Sequence, residues 1–138
     1  MTDLIDTVRL DVALPMDIVL ARGEARRFAM LAGFSMADQT RLATAVSELA
    51  RNILQHAGRG FCEVSCQSYE RDVVVQIVLQ DTGPGIADIP KAMQDGFSTN
   101  GGLGAGMSGT RRLVHKFEIE SRPGMTRITI AMIKKLGP

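Results

Sequence analysis

The run Val73-Val-Val-Gln-Ile-Val-Leu-Gln80 constrains the fold more than any other stretch. It is apolar on both faces of an extended chain, so it reads as the central strand of a sheet. The segments around it supply its neighbours. Cys62, Val64 and Cys66 alternate with Glu63, Ser65 and Gln67, which predicts a strand over 62–68. The polar turn Glu70-Arg-Asp72 between the two runs makes them a hairpin. Val8, Leu10, Val12 and Leu14 alternate with Arg9, Asp11 and Ala13, giving a half-buried strand ended by Pro15. Phe117 to Arg122 and Thr126 to Lys134 read as two more strands, joined by the turn signal Pro123-Gly-Met125.

Helical periodicity fills the intervals. Asp17 is the expected N-cap of a helix to about Ala32, with Ile18, Val19, Ala25, Phe28, Ala29 and Leu31 facing inward and Gly33 as its stop. Ser35-Met-Ala-Asp38 resembles a capping box with Asp in place of Glu. It opens the clearest helix of the chain, whose apolar face is Leu42, Ala43, Val46, Leu49, Ala50, Ile53, Leu54 and Ala57. Arg41, Glu48, Asn52 and Gln55 form its polar side. A short helix is expected around Ile89 to Met93 and another from Met107 to Phe117. Hairpins outnumber crossovers in this order. The expected class is therefore an α/β (α+β) sandwich: a mixed, mainly antiparallel sheet with helices on one face, in a single domain.

Charge and composition exclude several functions. Sixteen basic and 15 acidic residues leave a formal charge of +1, without the basic excess of a nucleic-acid binder. No apolar run has the length of a membrane span, and the first residues lack the basic and apolar regions of a signal peptide, so a cytoplasmic protein is expected, with neither membrane nor nucleic acid among its partners. Cys62 and Cys66 would share a strand face roughly 13 Å apart, too far to bridge, and read as small buried thiols.

Chemistry concentrates in three places. Residues Asp95 to Gly109 hold six of the 14 glycines and run straight into a helical pattern. Such a loop either cradles an anion on backbone N–H groups or is a surface loop. Gly104-Ala-Gly-Met-Ser-Gly109 matches a dinucleotide fingerprint only formally, because no strand directly precedes it, and as a P-loop it lacks the lysine. Glu48 and Asn52 stand one turn apart and project side by side. Asp81 ends the central strand just before Gly83-Pro-Gly85, where a carboxylate can accept a hydrogen bond from a ligand or simply start a turn.

Together these residues carry a family resemblance. Ser47-Glu-Leu-Ala-Arg-Asn52 resembles the N box of the GHKL ATPase/kinase superfamily, Asp81-Thr-Gly-Pro-Gly85 its G1 box, and Gly102-Leu-Gly-Ala-Gly106 its G2 box, in the family order. Pro123-Gly-Met-Thr126-Arg-Ile128 is similar to the last motif. The resemblance covers nearly the whole chain and implies the Bergerat ATP-binding fold. Residues 38–52 and 95–106 are most similar to the branch of RsbT-type serine/threonine kinases, the switch proteins of bacterial stressosomes.

The resemblance implies the following roles. Asp81 accepts from the adenine amino group with Thr126 nearby, and Gly83, Gly85 and Ile86 line the same pocket. Asn52 ligates Mg²⁺. Gly101, Gly102, Leu103, Gly104, Ala105, Gly106 and Met107 surround the phosphates of ATP, over which residues 87–105 act as a lid. Glu48 is the general base for a protein Ser or Thr hydroxyl. The implied substrate is a STAS-domain antagonist protein, and the implied effector of the released kinase is a PP2C-type phosphatase. Two rival readings are an anti-sigma factor that binds a sigma factor and phosphorylates its antagonist, and a nucleotide-sensing module without activity.

Overall fold

A computed structural model describes residues 3–94 and 106–137. Five strands form one sheet: β1 (Asp3–Val12), β2 (Gly60–Ser68), β3 (Asp72–Asp81), β4 (Lys116–Arg122) and β5 (Met125–Lys135). Their order is β1-β2-β3-β5-β4, so the run at 73–80 is indeed central. Every pairing is antiparallel, a narrower arrangement than the mixed sheet expected. Four helices complete the described fold: α1 (Pro15–Leu31), α2 (Met36–His56), α3 (Ile89–Ala92) and α4 (Gly106–Leu113).

The core lies between one sheet face and the helices. Val75, Ile77 and Leu79 of β3 are buried there with Cys62 and Val64 of β2 and Ile128, Ile130 and Met132 of β5. Across the interface stand Leu42, Val46, Leu49 and Ile53 of α2, as its periodicity predicts, together with Ala21, Ala25, Phe28 and Ala29 of α1. Burying each of the Val, Leu, Ile, Met and Phe side chains contributes about 1.5–3 kcal/mol, and the alanines less. Val74 and Val78 point to the other sheet face, where they are only partly covered. Cys62 and Cys66 are free and buried. Burial pushes the Cys62 thiol up to about 12 and raises that of Cys66, so neither supplies a thiolate nucleophile at neutral pH.

Three sequence expectations change. Pro15 opens α1 rather than merely ending β1, because its fixed φ and missing N–H suit the first helical position. Asp17 consequently lies inside the first turn, and its carboxylate reaches back to accept from the backbone N–H groups of Ala13 and Leu14, both at 2.9 Å. Those two bonds hold its carboxyl below the usual range. Val19 and Leu31, expected inward, are 46% and 70% exposed. Ser35 does cap α2, accepting from Asp38 N–H at 3.1 Å. The last helix stops at Leu113, short of Phe117, because His115, just before β4, is already hydrogen-bonded to β5. Its N–H donates to Ala131 O at 3.0 Å and its Nδ1 accepts from Ile133 N–H at 2.8 Å. No helix among the described residues is long and apolar enough to cross a membrane.

Candidate nucleotide site

The register of the sheet gathers the candidate residues at one end. Gly60, Asp81 and Thr126 are direct partners across β2, β3 and β5, and Ser121 of β4 pairs with Thr126. A strand period of two puts this row on the face that carries Leu79 and Ile128, toward the helices. Asp81 is half-buried and Thr126 is buried. One carboxylate oxygen of Asp81, Oδ1, accepts from Gly83 N–H at 2.9 Å. Among the described residues nothing donates to Oδ2. The carboxylate is therefore oriented by its own turn with one acceptor left over.

The turn after Asp81 is clamped from two sides. A Cβ on Gly83 would lie 2.6 Å from the Ala57 Cβ at the end of α2, so only glycine lets the turn press against that helix. The Gly83 carbonyl accepts from Gly124 N–H at 2.9 Å, which ties the turn to the β4–β5 hairpin. Gly85 has φ +85°, and a Cβ there would meet Arg122 O at 2.4 Å. Both glycines thus have structural reasons to be glycine, in addition to the nucleotide contacts expected of them. Gly85→Ala should lose about 2–4 kcal/mol from left-handed strain plus overpacking, read as a lowered urea midpoint. A midpoint equal to wild type would show that the turn relaxes freely.

Ser121 is a site residue that sequence reasoning missed. Its Oγ accepts from Ile86 N–H at 2.8 Å and lies 2.7 Å from Thr126 Oγ1. It connects the G1-type turn to the threonine through a single hydroxyl. A lone serine in an alternating strand gives no signal of this; only its register opposite Thr126 does. Ser121→Ala leaves the half-buried Ile86 N–H without its partner, which costs about 1–3 kcal/mol. The expected result is ATP affinity lowered about tenfold, measured calorimetrically. Unchanged affinity would assign the hydroxyl to the scaffold alone.

Glu48 and Asn52 lie on α2, both half-buried. Arg51 donates from one terminal nitrogen to Glu48 Oε1 at 2.6 Å. This partner was also missed, although its spacing of three residues is the usual one for helical ion pairs. The pair fixes one carboxylate oxygen and leaves Oε2 for another donor. The carboxamide of Asn52 makes no hydrogen bond with the described residues. Mg²⁺ keeps several waters and needs only one or two protein oxygens besides phosphate, so a single uncommitted amide fits it. The following turns of α2 dock on the Asp81 end: an added Cβ on Gly60 would meet Ile53 Cγ2 at 3.0 Å and Asp81 Cβ at 3.1 Å. The structure thereby brings the helix of Glu48 and Asn52 against the strand end of Asp81.

The phosphate end is described only at its border. Gly101, Gly102, Leu103, Gly104 and Ala105 lie outside the described residues, as do positions 95–100 of the expected lid. Gly106 opens α4, whose Met107 joins the edge of the core, and α4 packs on α2. Within 87–94, Asp88 caps α3 by accepting from Lys91 N–H at 3.0 Å.

Comparison with known proteins places this arrangement in a family. Residues 37–136 match the family of histidine kinase-, DNA gyrase B- and HSP90-like ATPases, which use ATP. The serine/threonine-protein kinase RsbT of Bacillus subtilis (strain 168) is 47% identical over 108 residues, 78% of this chain and 81% of its own length. Among solved structures, the RsbU and RsbW domains of Rv1364c from Mycobacterium tuberculosis superpose with a TM-score of 0.61 at 15% identity, covering 96% of this chain. This chain spans 33% of that protein. The mycobacterial sensor histidine kinase MprB gives a TM-score of 0.54 at 15% identity over 96% of this chain and 100% of its own. At such identities the two structures speak for the fold alone. The family match and the identity to RsbT establish that the chain belongs to the RsbT-type serine/threonine-protein kinases within the histidine kinase-, DNA gyrase B- and HSP90-like ATPases.

Proposed function

We propose that this partner-switching kinase transfers the γ-phosphoryl group of Mg-ATP to a serine or threonine of a STAS-domain antagonist protein in the cytoplasm. Released from the phosphorylated partner, it then binds and activates a PP2C-type phosphatase. In this reading residues 1–138 make one ATP-binding domain, with 87–105 as its lid. The observation that supports it best is the half-committed state of two carboxylates. Asp81 spends one oxygen on its own turn and Glu48 spends one on Arg51, so each keeps a single oriented acceptor.

Asp81 Oδ2 accepts from the adenine amino group. Glu48 Oε2 takes the proton of the attacking hydroxyl, whose oxygen forms the new P–O bond as the bond to the β-phosphate oxygen breaks and ADP leaves with that electron pair. Asn52 would hold Mg²⁺, which when bound would neutralise charge on the phosphate oxygens. The departure of the product has a simple electrostatic cause, because phosphorylation adds about two negative charges to a docked surface.

The direct test is incubation of the full chain with γ-labelled ATP and the purified STAS-domain antagonist of the same organism. Acid-stable label on a Ser or Thr of that protein is the expected result. Tight ATP binding with no transferred label would overturn the reading in favour of a nucleotide sensor.

A further inference from the structure

Helix α1 is apolar on two opposite sides. One side is the core face of Ala21, Ala25, Phe28 and Ala29. At about 3.6 residues per turn, Met16, Val19, Leu20, Gly23, Met30 and Leu31 fall on the opposite side, interrupted by the exposed Arg27. The five large residues of that stripe are 46–70% exposed. Monomeric proteins scatter exposed apolar residues singly; a stripe of this length along one helix marks a contact surface. Gly23 sits in its middle, and a Cβ built there would meet nothing within 4 Å, so the stripe has an open notch. At its C-terminal end it runs into a groove of about 200 Å³ lined by Ile5, Phe28, Leu31 and Cys66, with Asp6 at its side.

Charge decides the occupant. Arg22 and Arg26, one turn apart, form one shoulder of the stripe; both are exposed, and neither makes an ion pair among the described residues. Arg27 is already tied to Glu24 at 2.7 Å. A second copy packed antiparallel across the notch would place its own Arg22 and Arg26 on the same side as these two, so like charges would face each other, and a parallel copy would bring up only Glu24, whose carboxylate Arg27 already holds. From these placements we infer that the outer face of α1 docks a protein helix with an apolar ridge and carboxylates along its flank, the ridge lying over Gly23 and the carboxylates meeting Arg22 and Arg26. The surface is separate from Glu48, Asn52 and Asp81, and the inference does not depend on the identity of the phosphorylated substrate.

The test uses two fluorescein-labelled amphipathic helical peptides with the same leucine ridge, one with Glu on its flanks and its twin with Lys. Each is titrated with the full chain by fluorescence anisotropy. The Glu peptide should bind at least about tenfold tighter than its Lys twin, and its affinity should fall as salt rises. Leu20→Glu and Gly23→Gln should each weaken it about tenfold or more. Both positions face solvent, so the fold should survive, and unchanged ATP affinity is the control. Equal binding of the twins, binding of neither, or a Leu20→Glu variant that binds like wild type would overturn the inference. So would concentration-dependent dimerisation in sedimentation that Leu20→Glu abolishes, or binding to anionic vesicles that it abolishes.

Discussion

Asp81→Asn is expected to lower ATP affinity by roughly 5- to 150-fold, the equivalent of about 1–3 kcal/mol for one frustrated hydrogen bond. The reason lies in the division of labour within one carboxylate. Oδ1 accepts from Gly83 N–H and Oδ2 is the acceptor left for a ligand amine. An asparagine has only one acceptor oxygen. Turned one way, it keeps the Gly83 bond and presents its NH₂ to another amine. Turned the other way, it accepts from the ligand and sets its NH₂ against the Gly83 N–H. Neither orientation satisfies both donors. The fold itself should hold, because the β3–β5 register is made by the backbone. Isothermal titration with ATP, alongside a urea midpoint close to wild type, checks the prediction. Near-normal affinity in that variant would remove Asp81 from the nucleotide pocket.

The second large effect is on turnover. Glu48→Gln keeps the shape of the side chain and can still accept from Arg51, but it cannot take a proton. General-base catalysis contributes typically about 10²–10⁴-fold, and that is the expected loss in phosphoryl transfer under single-turnover conditions. ATP affinity should change by no more than about twofold, because the base is needed in the transition state and not in the ground state. Loss of ATP binding together with rate would reassign Glu48 to the binding site. A variant that transfers phosphate normally would require another base.

The parts of the fold that were legible in the sequence are those with one clean period. The 3.6-residue pattern of α2 and the alternation of β2 both fix a single buried face, and the apolar run of β3 leaves it no place but the centre. Helix α1 was harder for a physical reason. With apolar residues on two sides, periodicity does not say which side is the core. Val19 and Leu31 were assigned inward because they are apolar, whereas small Ala21, Ala25 and Ala29 let the helix lie close to the sheet and left the bulkier stripe outside.

The candidate site divides in the same way. Glu48, Asn52, Asp81 and Thr126 stand in recognisable local patterns. Ser121 does not, since its part depends on a cross-strand register, and Arg51 offers only an i, i+3 spacing whose ion pair depends on a rotamer. Gly83 and Gly85 were noticed for the ligand, yet their close approaches are to Ala57 and Arg122, because the turn that aims Asp81 must itself be held.

The position of Asp81 on the central strand has a consequence for selectivity. Its backbone is flanked by Gly60 on one side and Thr126 on the other, so it is fixed before any phosphate is engaged. The candidate phosphate and metal groups belong to α2 and to the approach to α4. In the proposed reading, base identity and phosphate number would therefore be recognised by different secondary structures. Guanine carries an oxygen where adenine carries its amine and would set that oxygen against the Asp81 carboxylate, a repulsion that no added phosphate contact removes. The discrimination of ATP from GTP should accordingly persist undiminished between ADP and GDP.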